Sequence, residues 1–472
     1  MSSAAPKELS RAGRYLVLAA AFAGWMFGGL QISSFNLITR PSVIDFLEHR
    51  HEEIGTTPAE AREHAALSTS KLYVEEQAGK WYARYQAALM FGMAAGGWFF
   101  GTLGDRIGRS KAMGLSVLCY SFLTGVSYFA VDPVQLLVLR FLACLGVGGV
   151  WPNAVSLVAE AWPDVSRPML AGLLGTAANF GFVLLGLVAY QWPVTPESWR
   201  WVLLFGGSPL VLGIFILATV PESPRWLAQR IVPRDVPPSR PIVEVFRPPL
   251  LSRTVIGILL GAVPVIGTAA NANWLVPWAD QATDAAAAKG VGPANAARGN
   301  AAASTTDTPA KPKRGDPRLK AWTQVTRSTG AMLGSLIGGW LASLLGRRTT
   351  YFLISLASLA TSMYLYHYMT PLDPHFSAMT FLLGFTGVTY FGWLPLYLPE
   401  LFPTHVRSTG TGVTFNSGRI FAGLAALGAG ALIGLFDADY ARVGTWTSLI
   451  YAFGMVIVLF APDTRGKKIA DA

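Results

Sequence analysis

The sequence is poor in charged residues and in cysteine. Asp, Glu, Lys and Arg together make up 14% of its 472 residues, against about 25% in an ordinary soluble domain. The two cysteines, Cys119 and Cys144, both lie within apolar runs, so we expect small buried residues rather than a disulfide framework or a metal site. No His and Glu at metal-ligand spacing, no nucleophile elbow and no phosphate-binding loop occurs in a suitable context. These absences argue against an enzyme, and we expect no cofactor.

The sequence contains long apolar runs, and hydrophobic residues make up 52% of the chain. A run of about 20 apolar residues predicts a transmembrane helix. Twelve such runs occur, at 15–38, 82–103, 111–130, 134–158, 168–190, 199–220, 253–279, 321–345, 348–370, 376–398, 408–434 and 442–461. The first follows basic residues, as in a signal peptide, but it continues past the usual length of one, so we expect a retained span. An even number of spans predicts that both termini lie on the same side of the membrane.

Basic residues are concentrated in every second loop. The net charge of +10 could indicate a nucleic-acid partner, but the bases lie between apolar runs rather than on one polar face. Loops on the side of the N-terminus hold most of them, including Arg106, Arg109 and Lys111, whereas the short loops on the other side hold little more than Arg200 and Arg442. By the positive-inside rule we expect a multi-pass protein of the plasma or inner membrane, with both termini cytoplasmic and no nucleic-acid partner.

Three longer segments divide the chain. Residues 40–81 form a predicted outer loop of mixed charge that is helical in part. Residues 281–320 form a predicted outer loop rich in Ala, Gly, Pro and Thr, a composition that predicts disorder. An inner linker rich in Pro and Arg, 221–252, lies halfway along the chain. We therefore predict an N-terminal six-helix bundle at 1–220 and a C-terminal one at 253–472.

Two short motifs occur once in each half, at matching places. The stretch GTLGDRIGRS after the second run has a counterpart, GWLASLLGRR, after the eighth. The other motif follows runs four and ten and has an acid, a proline three residues later and an arginine seven residues after the acid. Its members are Glu160, Pro163 and Arg167 in the first half and Glu400, Pro403 and Arg407 in the second. Repeats in register predict a duplicated six-helix unit, an architecture of secondary transporters whose substrate site lies between the halves.

These motifs resemble the major facilitator superfamily, and the resemblance extends over essentially the whole chain. GTLGDRIGR after the second run is similar to the superfamily's most specific signature. PESPRWL after the sixth run, PELFPTHVRSTGTG after the tenth and APDTRGKK after the twelfth resemble its sugar-porter and metabolite:proton symporter branch. The resemblance implies an all-α membrane protein with twelve transmembrane helices in two pseudo-symmetric six-helix bundles that rock about a central site.

The repeated motifs predict a charge network on the cytoplasmic face. Their glycines allow close helix approach and a tight turn, and their acids can cap a helix or pair with an arginine. We predict that the network latches the halves together while the site faces outward; the alternative is that the charges only anchor helix ends at the interface. The predicted members are Gly101, Gly104, Asp105, Arg106, Gly108, Arg109, Glu160, Arg167, Arg347, Arg348, Glu400 and Arg407. Ser343 and Leu344 replace the acid and the base in the second copy, so we expect a lopsided latch.

Acidic residues are missing from the middle of every predicted span. Symporters that this chain resembles often carry an Asp in the first span, where this sequence has Gly28 and Gln31, so we expect no proton coupling through a first-span carboxylate. Three arginines lie within spans instead, and an intramembrane charge is a functional candidate because it is costly to bury. Arg419 is the best candidate for binding a substrate carboxylate, with helix packing as the alternative. Arg140 is assigned to gating or structure, and Arg327 either to the site or to its outer rim.

Neutral amides complete the predicted site. An amide can pair with a hydroxyl or a carboxylate, although a single amide serves equally well as a bond between helices. The amides occur in spans one, four, five, seven, eight and eleven, which line the cavity in the superfamily that this chain resembles. Together with Arg419, the predicted substrate-binding residues are Gln31, Asn36, Asn153, Asn179, Asn271, Asn273, Gln324 and Asn416.

The function expected from the sequence is transport, by alternating access, of a small hydrophilic metabolite, either an organic anion or a sugar. Coupling is expected to be either proton symport, with the substrate carboxylate as the proton partner, or facilitated diffusion. The expected partners are this substrate, a proton in the symport case, and the lipid bilayer around a monomer. The alternative from another class is a transport-inactive receptor-like or regulatory membrane protein of the same fold, which the degenerate second motif would allow.

Overall fold

The computed structural model of the protein describes residues 9–53, 71–162, 167–229, 241–289, 315–403 and 406–464. Over these residues the regular secondary structure is helical throughout. Its twelve long helices are α1 (Arg11–Glu53), α2 (Lys71–Ile107), α3 (Arg109–Val126), α4 (Pro133–Ala161), α5 (Arg167–Gln191), α6 (Trp201–Thr219), α7 (Leu251–Ala288), α8 (Arg318–Leu345), α9 (Arg347–Tyr368), α10 (Phe376–Tyr397), α11 (Arg407–Leu435) and α12 (Tyr440–Phe460). Two short helices, Pro224–Gln229 and Pro241–Val245, follow α6.

The long helices are suited to crossing a membrane. In the described part of the chain, eleven of them are long and apolar enough to do so. The twelfth is α9, in which Ser, Thr and Tyr recur. Its length of 22 residues gives about 33 Å of helix at about 1.5 Å per residue, which matches a hydrocarbon core of about 30 Å. The helices therefore correspond to the twelve predicted spans.

The helices form two bundles of six, α1–α6 and α7–α12. In the first bundle α2 and α3 pack on α4, and α1 packs on α5; in the second α8 and α9 pack on α10, and α7 packs on α11. Because consecutive spanning helices alternate in direction, α1 begins and α12 ends on the same face of the molecule. We call this face the termini face and the other one the opposite face.

Glycines with a positive φ make two of the turns on the termini face. Gly108 has φ 112° between α2 and α3, and Gly346 has φ 91° between α8 and α9. Glycine adopts this region without the steric cost that a side chain would bring. Each glycine reverses the chain with no further loop residues, so the repeated motif forms the same tight turn in both halves.

The middle of α7 departs from α-helical geometry. A π-helical turn spans Gly267–Asn271, and a tighter 3-10 turn follows. The phenol of Tyr366 donates to the Asn271 carbonyl at 2.8 Å, and the phenol of Tyr82 lies 2.8 Å from the Asn273 carbonyl. Such bulges often occur at functional sites, and this one directs polar backbone toward both halves of the protein.

Helices extend into two of the predicted loops. α1 continues to Glu53 and α2 begins at Lys71, both inside predicted loop 40–81, and α7 continues to Ala288, inside predicted loop 281–320. The apolar-run criterion stops at charged residues, whereas here the charged residues continue the same helices and pair with one another. The rest of these loops and the middle of the linker, residues 54–70, 290–314 and 230–240, lie outside the described residues. The predicted disorder and the domain boundaries therefore stay predictions.

Candidate substrate site between the two halves

Four helix pairs make the main contacts between the halves in the described chain: α1 with α7, α2 with α11, α5 with α8, and α5 with α10. Two of the pairs approach so closely that they need glycine. A Cβ at Gly79 would lie 2.6 Å from Cγ2 of Ile433, and a Cβ at Gly186 would lie 2.6 Å from Cγ2 of Val325. These contacts lie toward the opposite face, whereas a Cβ at Gly172, near the termini face, would meet no atom within 4 Å. The halves are thus packed together toward the opposite face.

A cluster of amide and phenol side chains crosses this interface. Oδ1 of Asn36 in α1 accepts a hydrogen bond from Nε2 of Gln86 at 2.9 Å and lies 2.8 Å from the phenol of Tyr82. Nδ2 of Asn36 lies 3.5 Å from Oδ1 of Asn273 in α7. Among the described residues, Gln86 Oε1 and Asn273 Nδ2 are buried without a hydrogen-bond partner. Because unsatisfied buried polar groups are costly, a ligand that offers both a donor and an acceptor would be stabilised here.

Arg327 of α8 is a buried guanidinium that has no counter-ion among the described residues. The residue is 4% exposed, and its guanidinium lies 5.6 Å from the centre of the Phe182 ring in α5. Within the described chain it makes no hydrogen bond or ion pair, and its Nε is buried without a partner. Gln324, one turn earlier, donates to the Phe182 carbonyl at 3.4 Å and leaves its own Oε1 unsatisfied. An unpaired buried charge is unfavourable, so this place favours an anionic ligand.

Arg419, the predicted anion-binding residue, also lies between the halves. Its Nη1 is 3.4 Å from the carbonyl of Met93 in α2 and 3.3 Å from Oδ1 of Asn416. Its guanidinium lies 5.0 Å from the centre of the Phe415 ring. These hydrogen bonds are long for N–H···O bonds, and no carboxylate of the described residues pairs with Arg419. The guanidinium of Arg419 is therefore partly hydrogen-bonded, whereas that of Arg327 has no hydrogen-bond acceptor among the described residues.

Two other side chains border the same region. Trp274 is fully buried with its Nε1 unsatisfied among the described residues, and its ring lies 4.7 Å from that of Tyr82. Asn179 is half-buried and lies one turn before Phe182 on α5. Sequence reasoning named Asn179 but missed Tyr82 and Gln86. The signal available for these two was their spacing of four residues, which places them on one face of α2.

Gln31 and Arg140 are bonded inside the first half. Nη2 of Arg140 donates to Ser34 Oγ at 2.5 Å and to the Gln31 carbonyl at 2.9 Å, and Nη1 donates to Thr124 Oγ1 at 3.0 Å. Gln31 donates to the Gly206 carbonyl at 2.5 Å and accepts from Thr124 at 2.8 Å. These hydrogen bonds connect α1, α3, α4 and α6. Arg140 therefore stabilises the packing of the first half, which agrees with a structural role.

Asn153 and Asn271 are likewise bonded within one half each. Nδ2 of Asn153 donates to the Phe100 carbonyl at 2.9 Å. Nδ2 of Asn271 donates to the Gly444 carbonyl at 2.8 Å, and its Oδ1 accepts from Ser362 at 2.8 Å. They act as bonds between helices, the alternative use for a single amide. Of the predicted set, the structure brings Asn36, Asn273, Gln324, Asn416 and Arg419 to the interface.

On the termini face of the first half, Glu160 of α4 lies between a base and a hydroxyl. Nε of Arg109 lies 3.8 Å from Oε1 of Glu160, and Nη1 of Arg109 lies 2.7 Å from Oδ1 of Asp105. The hydroxyl of Ser223 donates to Glu160. The carboxylate of Glu222 accepts from the backbone N–H of Arg109 at 2.8 Å, a favourable place for an anion because α3 begins there. Glu222 and Ser223 both belong to the segment PESPRWL. This segment therefore completes the charge network on the termini face of the first half.

The second half repeats this arrangement. Arg347 makes a bidentate pair with Glu400 at 3.1 and 2.8 Å. The hydroxyl of Thr464 donates to Glu400 at 2.6 Å, as Ser223 does to Glu160 in the first half. The matching segments PES after α6 and PDT after α12 thus hold equivalent hydroxyls, and the pseudo-symmetry extends to the side chains.

No ion pair between described residues on the termini face crosses from one half to the other. Arg106 is exposed and has no partner within the described chain. Nε of Arg348 donates to the Ala461 carbonyl at 2.5 Å. The side chains of Arg167 and Arg407 are not among those described. The predicted latch between the halves therefore stays a prediction.

The opposite face is held by ion pairs that do cross between the halves. Arg40 of α1 reaches Asp280 at 2.9 Å and Asp284 at 2.7 Å, both on α7, and it also pairs with Glu75 of α2 at 2.5 Å. Lys320 of α8 pairs with Asp280 at 3.1 Å. We call these five residues the opposite-face network. The side chains of Arg40 and Lys320 are 6% and 3% exposed, so salt and solvent screen the pairs little.

A small cavity adjoins the opposite-face network. Its volume is about 30 Å³, and its lining includes Arg40, Asp280, Asp284 and Lys320. A polar cavity of this size can hold an ordered water. Across the described residues, no group of His, Cys, Asp and Glu is arranged to bind a metal ion. The cavity therefore offers a place for water beside the network.

Two similar six-helix bundles, with unsatisfied polar groups and an unpaired arginine between them, define a transporter of the major facilitator fold. The chain belongs to the sugar (and other) transporter family, whose model matches residues 17–231 and 315–471. The protein is thus a multi-pass membrane transporter of small metabolites and not an enzyme, as the sequence predicted.

Individual relatives agree with this assignment. A "Probable 4-methylmuconolactone transporter" of Cupriavidus pinatubonensis is 28% identical over 386 residues, which cover 80% of this chain and 81% of the relative. A "Cis,cis-muconate transport protein" of Acinetobacter baylyi is 27% identical over 361 residues, 73% of this chain and 78% of the relative. The crystal structure of a D-xylose–proton symporter matches with a TM-score of 0.65 at 15% identity, covering 96% of this chain and 99% of the other, and supports the fold.

Proposed function

We propose that the protein transports a small organic anion whose carboxylate is bound by Arg327 between the two halves. The unpaired, buried guanidinium carries this proposal. A carboxylate would form a charge-assisted, bidentate pair with it. A neutral sugar could satisfy the free amide groups of Gln86 and Asn273 but would leave the charge of Arg327 buried and unpaired, which is unfavourable. An anion with a further polar group satisfies both requirements.

The rings near Arg327 favour a planar substrate. Phe182 lies beside the guanidinium, and Tyr82 and Trp274 pack against each other next to the amide cluster. Aromatic side chains pack favourably on unsaturated or aromatic groups. The relatives carry the names of 4-methylmuconolactone and cis,cis-muconate, both unsaturated metabolites with carboxylate groups. An unsaturated or aromatic carboxylate is therefore the substrate class we expect.

We also propose an orientation and a conformational state. The bases concentrated on the termini face favour placing both termini in the cytoplasm, and the relatives from bacteria favour an inner membrane. In this orientation the opposite-face network lies outside, and the described structure is the state in which the outer side is closed. A monomer suffices, because both sides of the site come from one chain.

Matched ligand pairs test the substrate class. Purified protein is heated with cis,cis-muconate, with benzoate and its uncharged amide, benzamide, and with D-xylose. We expect the carboxylates to raise the melting temperature, since a ligand at about 100 times its Kd stabilises by about 2.7 kcal/mol, while benzamide and xylose leave it unchanged. A response to xylose without a response to any carboxylate would contradict the proposal.

Counterflow in proteoliposomes then separates a transporter from a receptor-like protein of the same fold. Vesicles preloaded with an identified ligand should take up the labelled ligand from outside. An imposed pH gradient should accelerate this uptake if a proton moves with the substrate and leave it unchanged in facilitated diffusion. Binding without counterflow would favour the receptor-like alternative.

Asp105→Asn is expected to slow transport while leaving membrane insertion intact. Asp105 pairs with Arg109, but its side chain is 71% exposed, so the pair adds little to stability. If the acid helps latch the cytoplasmic face when the site faces outward, uptake should fall by about tenfold, the equivalent of about 1.4 kcal/mol. Ser343→Asn changes the equivalent position of the second half and serves as the control. Full transport activity in the Asp105 variant would rule out the latch.

A further inference from the structure

We propose that the protein has a second anion site, formed by Arg419 and Asn416, which a transported carboxylate occupies between Arg327 and the termini face. We call it the inner anion site. The inference rests on the proposed function, because the same substrate binds at Arg327, but it adds a separate place with its own affinity and its own role in transport.

Arg419 lies where the close contact between α2 and α11 ends. A Cβ at Gly423, one turn from Arg419 toward the opposite face, would lie 2.6 Å from the ring of Phe91 in α2. A Cβ at Gly412, two turns from Arg419 toward the termini face, would meet no atom within 4 Å. The three residues of α11 are spaced by four and seven positions, so they lie on one face of that helix. The two helices are therefore close together on the opposite-face side of Arg419 and apart on its termini-face side.

The pair formed by α5 and α8 separates in the same direction. A Cβ at Gly186 would lie 2.6 Å from Cγ2 of Val325. A Cβ at Gly175, three turns closer to the termini face on the same side of α5, would meet no atom within 4 Å. A cleft between the halves therefore opens toward the termini face, and Arg419 lies at its closed end beside α2.

The groups that Arg419 and Asn416 leave free are hydrogen-bond donors. Nη1 of Arg419 makes the hydrogen bonds to Met93 and Asn416, whereas Nε, Nη2 and Nδ2 of Asn416 bond to no described residue. In the described structure none of these three nitrogens is enclosed by protein atoms, so the cleft gives access to them. Oδ1 of Asn416 already accepts from Arg419 at 3.3 Å. Three free donors and a positive charge fit a carboxylate.

The inner anion site is too far from Arg327 for one small substrate to contact both. Arg327 lies within electrostatic reach of Tyr82 in α2, whereas Arg419 contacts the carbonyl of Met93, three turns later in the same helix. Three turns of α-helix are about 16 Å, which exceeds the length of benzoate or cis,cis-muconate. This separation is about twice the Debye length of physiological salt, so two bound carboxylates repel each other weakly. Two anions can therefore occupy the two sites at once.

Two sites in series ease the release of a bound anion. An anion that left Arg327 directly would cross the cleft without a counter-charge, which is costly between apolar helices. The inner anion site stabilises it again, and several weak sites favour passage over one strong site. Arg419 is already hydrogen-bonded in part, whereas Arg327 has no described partner. We therefore expect the inner anion site to bind about 100-fold more weakly and to release the anion toward the termini face.

Counting bound anions tests the second site. Purified full-length protein is dialysed to equilibrium against labelled benzoate, up to concentrations well above the weaker Kd. We expect two benzoates per wild-type protein and one per Arg419→Gln protein, with the Kd of the tighter site changed by less than about threefold. Arg419→Lys keeps the charge and should restore the second benzoate. Arg253→Gln is the matched control, because it removes a cation of α7 that bonds to the Leu401 carbonyl within its own half; it should still bind two.

The rate of transport shows what the second site contributes. In counterflow, the maximal uptake of benzoate should fall by about tenfold in Arg419→Gln and stay at the wild-type level in Arg253→Gln. One benzoate per wild-type protein, or two per Arg419→Gln protein, would overturn the inner anion site and leave Arg327 as the substrate site. No bound benzoate in the wild-type protein would overturn both this site and the proposed function. If Arg419→Gln fails to fold, Asn416→Leu, which keeps the guanidinium but removes a donor, should weaken the second site by about tenfold, and an unchanged second Kd would overturn the proposal.

Discussion

Arg327→Gln is expected to abolish binding and transport of carboxylates while leaving the fold intact. Arg327 makes no hydrogen bond or ion pair with the described residues, so the substitution breaks no described contact of this kind and removes an unpaired buried charge. Removing one partner of a buried charge pair costs about 2–5 kcal/mol, which corresponds to about 30- to 5,000-fold in Kd. We expect at least about 100-fold weaker carboxylate binding, with the melting temperature of the ligand-free protein unchanged or raised. Isothermal titration calorimetry with cis,cis-muconate or benzoate measures the Kd, and differential scanning calorimetry of the ligand-free protein measures the melting temperature.

Two other variants distinguish the role of Arg327 from that of a general positive charge. Arg327→Lys keeps the charge but loses the planar fork, so binding should be intermediate. Arg419→Gln loses the contacts with Met93 and Asn416, so it should lower the melting temperature and weaken binding less than Arg327→Gln does. If Arg419→Gln abolished carboxylate binding and Arg327→Gln did not, Arg419 would be the anion site, as the sequence alone suggested.

The fold could be predicted from the sequence because its signals are local. Apolar runs specify spanning helices. The motif GTLGDRIGR places a glycine, Gly108, at the turn after α2, where the backbone has a positive φ that only glycine adopts freely. The same turn at Gly346 explains why this part of the motif recurs although Ser343 replaces the acid. Helix ends were less predictable. Charged residues interrupt an apolar run without ending a helix, as Asp280 shows within α7.

The candidate site was less predictable, because residue type does not show which way a side chain faces. Gln31 and Asn271 lie in the expected spans, but they bond inside one half. Asn36 and Asn273, of the same chemistry, lie at the interface. The opposite-face network was missed for another reason. Its members come from four helices, and most of them fall in segments predicted as loops; only the i, i+4 spacing of two acids on α7 hinted that they share a helix face.

Arg40→Gln is the other variant for which a large effect is expected, namely opening of the opposite face. Without Arg40, the carboxylates of Glu75, Asp280 and Asp284 face Lys320 as the remaining cation of the network. Removing one partner of a buried ion pair destabilises by about 3–5 kcal/mol, which would shift the equilibrium away from the closed state by about 150- to 5,000-fold. Spin labels at Val131→Cys and Tyr368→Cys, exposed positions of the first and second half on this face, should then be far apart. Transport should stop while the ligand still binds from the outer side.

A pair on the same face provides the control that makes this result specific. Arg200 pairs with Asp45 at 2.6 Å, but both residues belong to the first half. Arg200→Gln removes a cation of the same face without separating any contact between halves, so the distance should stay short. The double variant Arg40→Gln/Asp284→Asn removes one charge of each sign. Its population with the short distance should be larger than that of Arg40→Gln alone, because the two residues interact directly. Equal opening in Arg200→Gln and Arg40→Gln would mean that charge on this face, and not the bridge between halves, sets the conformation.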